Sequence, residues 1–236
     1  VAMNVNDIIC VGAEPFALVD YLAVQEPDPF LIEQIAKGLH EGAETARIAI
    51  PGGEIAQIPE MLGDDGLPGI AFDLAGAAIG SVKLSRIISG RDIAEGDIIV
   101  GLRSSGVHSN GLTLARRALF QHGGLKVDTF LGELGRTVGE ELLEPTIIYV
   151  PQVNEILSTN IQVKALIHIT SDGFLNLTRV ESTIGFVIDY LPEPHPIFSV
   201  IQKLGGITDQ EMFRVYNMGI GFCICLLYTS DAADEG

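Results

Sequence analysis

Apolar and polar residues change period along this chain, and the changes mark out its elements. Val5, Ile8 and Ile9 recur at helical spacing, Gly12 follows, and Pro15 stands close behind. That pattern predicts a helix ending at Gly12 and a turn at Glu14-Pro15. Residues 16–24 are almost continuously apolar, as in a strand covered on both faces. Leu31, Ile32, Ile35, Ala36, Leu39 and Ala43 return to helical spacing, with Asp28 placed to cap and Pro29 in the first turn. Residues 47–50 read as a short strand entering Pro51-Gly52-Gly53-Glu54, where Glu54 would cap a helix starting after Gly53. Residues 69–83 read as a strand interrupted by Asp73.

The polar, glycine-punctuated stretch 87–96 is the expected domain boundary. Beyond it the pattern predicts a strand at 97–103, a helix at 111–121, a loop over 123–139, and helices near 140–143 and 150–158. A strand at 163–169, a helix at 174–181, a strand at 185–190, helices at 196–204 and 208–214, and a last strand at 219–227 complete the reading. Strands and helices alternate in both halves, which makes the fold α/β (α+β) with two domains, 1–86 and 94–226.

Composition narrows the function. Asp and Glu outnumber Lys and Arg by 31 to 14, a formal charge of −17, which argues against nucleic acid or an anionic membrane as partner. It leaves a nucleotide substrate open, because a local pocket and a metal ion can reverse the sign. Cys10, Cys223 and Cys225 have neither a disulfide framework's number nor a metal site's spacing, as expected of free thiols in a cytoplasmic protein. No segment is long and apolar enough to span a bilayer.

Three carboxylates stand in apolar or glycine-rich settings: Asp7, Glu54 and Asp73. Asp7 lies among Val5, Ile8, Ile9 and Val11, where an unpaired buried carboxylate would be costly, so it should be paired, hydrogen-bonded or holding a cation. Mg²⁺ takes oxygen ligands and bridges to phosphates, a task three such carboxylates could serve; capping and ion pairing would equally account for Glu54 and Asp73. Gly52 and Gly53 permit close backbone approach to an anion. Ser104-Ser105-Gly106-Val107-His108-Ser109-Asn110-Gly111 follows a strand and opens a helix, the topology of a phosphate or ligand site at a sheet edge. Ser109 or Asn110 would cap that helix, and His108 could donate to phosphate or move a proton. His168-Ile169-Thr170-Ser171-Asp172-Gly173 repeats the strand-to-helix arrangement, with Asp172 expected to cap the helix or face Arg179. Asn217-Met218-Gly219 reads as a turn near the site.

These blocks, with residues 1–7, Gly12-Ala13-Glu14-Pro15, Asp20-Tyr21, residues 51–59 and residues 212–219, resemble aminoimidazole ribonucleotide synthetase, the phosphoribosylformylglycinamidine cyclo-ligase family. Four separated blocks in order say more than one glycine-rich match. The resemblance implies ATP-dependent closure of formylglycinamidine ribonucleotide to aminoimidazole ribonucleotide in purine biosynthesis, with ATP and Mg²⁺ as cofactors. It implies a homodimer in which first-domain strands, 16–24 among them, build a shared barrel. By matching motif, Asp7, Glu54 and Asp73 become metal ligands, and His108 and Asp73 catalytic. Asn6, Asp7, Gly52, Gly53, Glu54, Ser105, Gly106, Asn110 and Thr170 become cofactor-binding residues. Gln57 stands where the family has glutamate, and Ser171 and Asp172 where it has glycines. The family also carries a glycine-rich, lysine-bearing segment ahead of position 1, and residues 227–236 depart from its pattern, so that tail reads as foreign and the chain as a fragment. Thiamine-monophosphate kinase, of the same superfamily, is the rival enzyme; a non-catalytic dimerisation fragment is the rival outside catalysis.

Overall fold

A computed structural model describes residues 1–62 and 71–228. Helix α1 (Ala2–Ile9) buries Val5, Asn6 and Ile9, one face at helical spacing. Asp7, two residues from Val5 and so about 200° around the helix, is exposed. The carboxylate expected to be buried is therefore outside, and its amide neighbour Asn6 is inside. The apolar spacing does set the buried face, but the polar residue carried inward is the one that can be satisfied there.

Strand β1 (Glu14–Val24) is the centre of the first sheet. Helix α2 (Pro29–Ala46) starts as expected, with Asp28 Oδ1 accepting from the Leu31 N–H at 2.7 Å and Pro29 in the first turn. Strand β2 (Ala49–Gln57) pairs parallel to β1, and β3 (Phe72–Ser81) pairs antiparallel on its other side. No helix starts after Gly53. The edge of β1 offers unpaired backbone groups along its whole length, and residues 49–57 satisfy them by continuing the ladder. Glycine at 53 allows the close pairing, since a Cβ there would stand 2.8 Å from Asp20 Cγ. The two faces of β1 differ: Leu18, Leu22 and Val24 are buried, whereas Phe16, Val19 and Tyr21 are 40–51% exposed. The chain thus covers one face of a strand whose sequence asks for cover on both. Residues 69–70 of the expected third strand lie outside the described residues.

The second unit is built on β4 (Ile98–Arg103), followed by α3 (Leu112–Arg116), which widens into a π turn over Arg117–His122. The stretch expected to be loop contains a small hairpin, β5 (Phe130–Leu131) with β6 (Arg136–Thr137), and then α4 (Val138–Leu142). Thr137 and Glu140 cap α4 reciprocally, which explains a helix starting ahead of the apolar positions that predicted it. Helix α5 (Val150–Ser158) leaves this unit. Residues 148–158 group with residues 1–87, packing on α1 and α2, so the second domain is discontinuous in sequence where a continuous one was expected.

Strand β7 (Val163–His168), helices α6 (Pro196–Gly205) and α7 (Asp209–Val215), and strand β8 (Ile220–Leu226) complete the second unit. Its sheet has the order β4-β8-β7, antiparallel throughout, with β8 buried in the middle. One core joins Val107, Leu119, Phe198, Ile201, Met212 and Tyr216; another joins Ile93, Ile167, Leu177, Ile220 and Cys223. Lys164 and Asp97 form a buried ion pair at 2.7 Å, their side chains 6% and 4% exposed. Burial would raise the Asp97 carboxyl, but the Lys164 hydrogen bond, the Ala94 N–H and the ammonium charge together hold it below its usual range.

Two expected elements take other forms. Residues 173–179 form a 3₁₀ helix instead of an α-helix, and residues 185–190 form no strand. Val187 and Tyr190 are 84% and 78% exposed, and β-forming residues without a partner ladder stay irregular. Residues 229–236 of the expected foreign tail lie outside the described residues. Among the described residues, no helix is long and apolar enough to cross a membrane.

Candidate functional site

The carboxylates of the first unit do not share a face. Helix α1 lies over the side of the sheet to which Gly76 turns its Cα hydrogen: Asn4 Nδ2 donates to the Gly76 carbonyl at 3.1 Å, and a Cβ at Gly76 would meet Asn4 Oδ1 at 2.9 Å. Asp73 precedes Gly76 by three residues in unbroken register, so its side chain projects to the opposite face. Glu54 pairs with Tyr21 and projects to that same face, two rungs away and on the other edge strand. Both are exposed. Among the described residues no group of three or more His, Cys, Asp or Glu could hold a metal. Asp7, Glu54 and Asp73 therefore do not fit one common ion in a single chain. Mg²⁺ needs only one or two carboxylates beside phosphate and water oxygens, which exposed Asp7 could still supply. Asn6 is fully buried, and its Oδ1 accepts the Tyr149 N–H at 2.9 Å, tying the start of α5 to α1. Asp20, a charge within the otherwise apolar β1, leans its carboxylate over Gly53.

In the second unit the 104–111 loop is held from within. Asn217, 2% exposed, accepts from Ser104 Oγ at 2.8 Å and from the Gly219 N–H at 2.9 Å. Its Nδ2 donates to the carbonyls of Gly106, 2.9 Å, and Val107, 3.2 Å. Two successive carbonyls turned toward one amide leave the Val107 and His108 N–H groups facing the other way, since C=O and N–H of a trans peptide point oppositely. The backbone is bent to do it, with φ of +150° at Gly106 and +60° at His108. From outside, Ser105 Oγ donates to the Pro145 carbonyl at 2.7 Å and Ser109 meets Thr146 at 3.0 Å. Asn217 is thus more than a turn near the site.

Neither Ser109 nor Asn110 caps α3; Gly111, with φ of +69°, takes that place without a side-chain bond. Asn110 Oδ1 accepts from Ser171 Oγ at 3.1 Å instead, joining the two strand-to-helix blocks. In the second block Asp172 faces Arg179 at 3.4 Å on the surface, as anticipated, and the half-buried Thr170 gives its carbonyl to the Gly173 N–H at 3.0 Å.

His108 is 4% exposed, not solvated. Burial, then the charges of His168 and His195, push its pKa down to about 4, so it is neutral at physiological pH. Its Nε2 accepts the Ser105 N–H at 3.1 Å, a bond the protonated ring could not accept. The ring is a neutral, hydrogen-bonded part of the loop, a state in which Nε2 accepts and does not donate to phosphate. The Cys223 thiol, pushed up to about 12 by burial, has no place in chemistry at neutral pH.

Comparison with known proteins divides the chain into two continuous stretches, the second of which includes residues 148–158. The family described as AIR synthase related protein, N-terminal domain, matches residues 1–82, and its C-terminal domain matches residues 94–232. Phosphoribosylformylglycinamidine cyclo-ligase of Methanocaldococcus jannaschii is 53% identical over 225 residues, covering 95% of this chain and 62% of its own length. The chain thus spans about three fifths of that relative. Among solved structures, thiamine-monophosphate kinase from Stenotrophomonas maltophilia superposes with a TM-score of 0.64 at 21% identity, over 98% of this chain and 68% of its own. Hydrogenase maturation protein HypE in complex with ATP gives 0.58 at 17%, over 99% and 63%. At such identities the likeness is one of fold.

Proposed function

The chain belongs to the AIR synthase related family, and we propose that the intact protein closes the imidazole ring of aminoimidazole ribonucleotide from formylglycinamidine ribonucleotide at the expense of ATP. The observation that supports the reading is the 104–111 loop, a strand-to-helix turn whose Gly106 and Val107 carbonyls are held by Asn217, in a chain 53% identical to a cyclo-ligase. ATP, when bound, supplies the phosphoryl group that activates the formyl-amide oxygen; the neighbouring amine then attacks the activated carbon, and phosphate leaves. Such a reaction asks for positioning and charge stabilisation more than for a protein nucleophile. Neutral His108 keeps the loop in shape without adding a charge of its own. In the first unit, exposed Asp7 is the carboxylate that would meet a metal–nucleotide, and Gly52, where a Cβ would find open space, the backbone that a phosphate could approach. The exposed apolar face of β1 and β3 suits a homodimer closed through that face.

Release of inorganic phosphate from ATP, measured with and without formylglycinamidine ribonucleotide, tests the proposal. Dependence on that substrate is expected; phosphate transfer to thiamine monophosphate instead would replace the reading with the kinase. Asp7→Asn should weaken Mg²⁺-ATP binding by calorimetry and leave the circular dichroism spectrum intact, and an unchanged affinity would remove Asp7 from the metal's shell.

A further inference from the structure

One peptide group links two histidines that lie far apart in sequence. The carbonyl of Ser104 accepts from His195 Nε2 at 2.8 Å, and the N–H of Ser105, the other end of the same peptide group, donates to His108 Nε2 at 3.1 Å. A carbonyl oxygen can only accept, so His195 carries hydrogen on Nε2; a backbone N–H can only donate, so His108 Nε2 is bare and the proton of its neutral ring sits on Nδ1. Hydrogen bonds in series polarise one another, so the bond from His195 strengthens Ser105 as a donor to His108. His195 is itself held: it precedes the first turn of α6, and Arg103 Nη1 donates to the Glu193 carbonyl at 3.1 Å, fastening this segment to the end of β4. Ser104 and His108 are 3% and 4% exposed, so water competes little for either bond.

We propose that His195 is a positioning residue that acts through the peptide group between Ser104 and Ser105 to hold His108 in its Nδ1–H form. The inference rests on the 104–111 loop being the reacting site. Its physical consequence is that the proton on His108 is set by a residue that need not touch the substrate.

The test is ¹⁵N spectroscopy of the histidine rings in the intact protein, with His108 assigned from its loss in His108→Gln. The wild type should show a protonated Nδ1 and a bare Nε2 on His108. His195→Phe should shift His108 toward a mixture of tautomers and lower kcat about tenfold with little change in KM, the loss expected for one hydrogen bond. His195→Gln, which retains an N–H donor, should restore both. A protonated Nε2 on His108 in the wild type overturns the proposal with no variant needed. So does a His108 signal indifferent to His195→Phe. An altered tautomer with unchanged kcat overturns His195 as a positioning residue for catalysis, whereas substrate-dependent phosphate release separately decides the ring-closure reading.

Discussion

Replacing Asn217 by alanine removes four hydrogen bonds from a site that is 2% exposed. The Ser104 hydroxyl can turn and look elsewhere, but the Gly219 N–H and the Gly106 and Val107 carbonyls are backbone groups fixed by the loop. Each buried polar group left without a partner costs about 1–3 kcal/mol, with carbonyls at the lower end because they have two lone pairs. A water entering the vacated space would recover part of that. The net expectation is a loss of about 3–5 kcal/mol, a large share of the ~5–15 kcal/mol that holds a domain together. Asn217→Asp sharpens the test, because it keeps the acceptor for Ser104 and Gly219 but sets a carboxylate oxygen against two carbonyl oxygens. At pH 7 it should be no better than alanine. On acidification the carboxyl gains a proton that can be donated to one of those carbonyls, so its folded-state pKa is raised and Asn217→Asp should gain stability relative to Asn217→Ala as pH falls. Urea unfolding of both variants at pH 7 and pH 5, followed by circular dichroism, reads this directly. A loss below about 1 kcal/mol for Asn217→Ala, or wild-type stability for Asn217→Asp at pH 7, would refute the account of the loop.

His108 has a folded pKa near 4 against an ordinary 6.5, so the unfolded chain binds its proton first. Its contribution is complete above pH 6.5 and is lost as pH falls toward 4, on the order of 3 kcal/mol in all; urea titration of His108→Gln should show that acid slope diminished. Asp97→Asn strands the buried Lys164 ammonium and should cost about 3–5 kcal/mol, whereas replacing both residues by apolar ones of similar size should cost far less; equal losses in urea unfolding would contradict this. Tyr21→Asp places a charge on the exposed apolar face of β1, and light scattering at micromolar concentration should show a two-chain mass for the wild type and a one-chain mass for the variant. A one-chain wild type would end the dimer proposal.

Much of the fold was legible locally. Asp28 and Pro29 announced α2 because an N-cap and a first-turn proline act within four residues, and the last strand was legible because its whole length is apolar. The 104–111 loop stood out for the same reason: a run of Ser, Gly, His and Asn between a strand and a helix is readable without knowing what surrounds it. The tertiary structure decided whatever depended on a distant partner. Residues 51–57 became strand because the edge of β1 was there to pair with them, and residues 185–190 did not because no ladder met them. Asn6 turned inward because the Tyr149 N–H, 143 positions away, satisfies it, which left Asp7 outside. The charge state of His108 was beyond any local reading, because it follows from burial and from His168 and His195 brought alongside by folding. Asn217 controls a loop 113 positions earlier in the chain, and only the packing of β8 beside β4 puts its amide within reach of Ser104. Propensity and capping act over a few residues, whereas desolvation and hydrogen-bond pairing depend on everything the fold brings near.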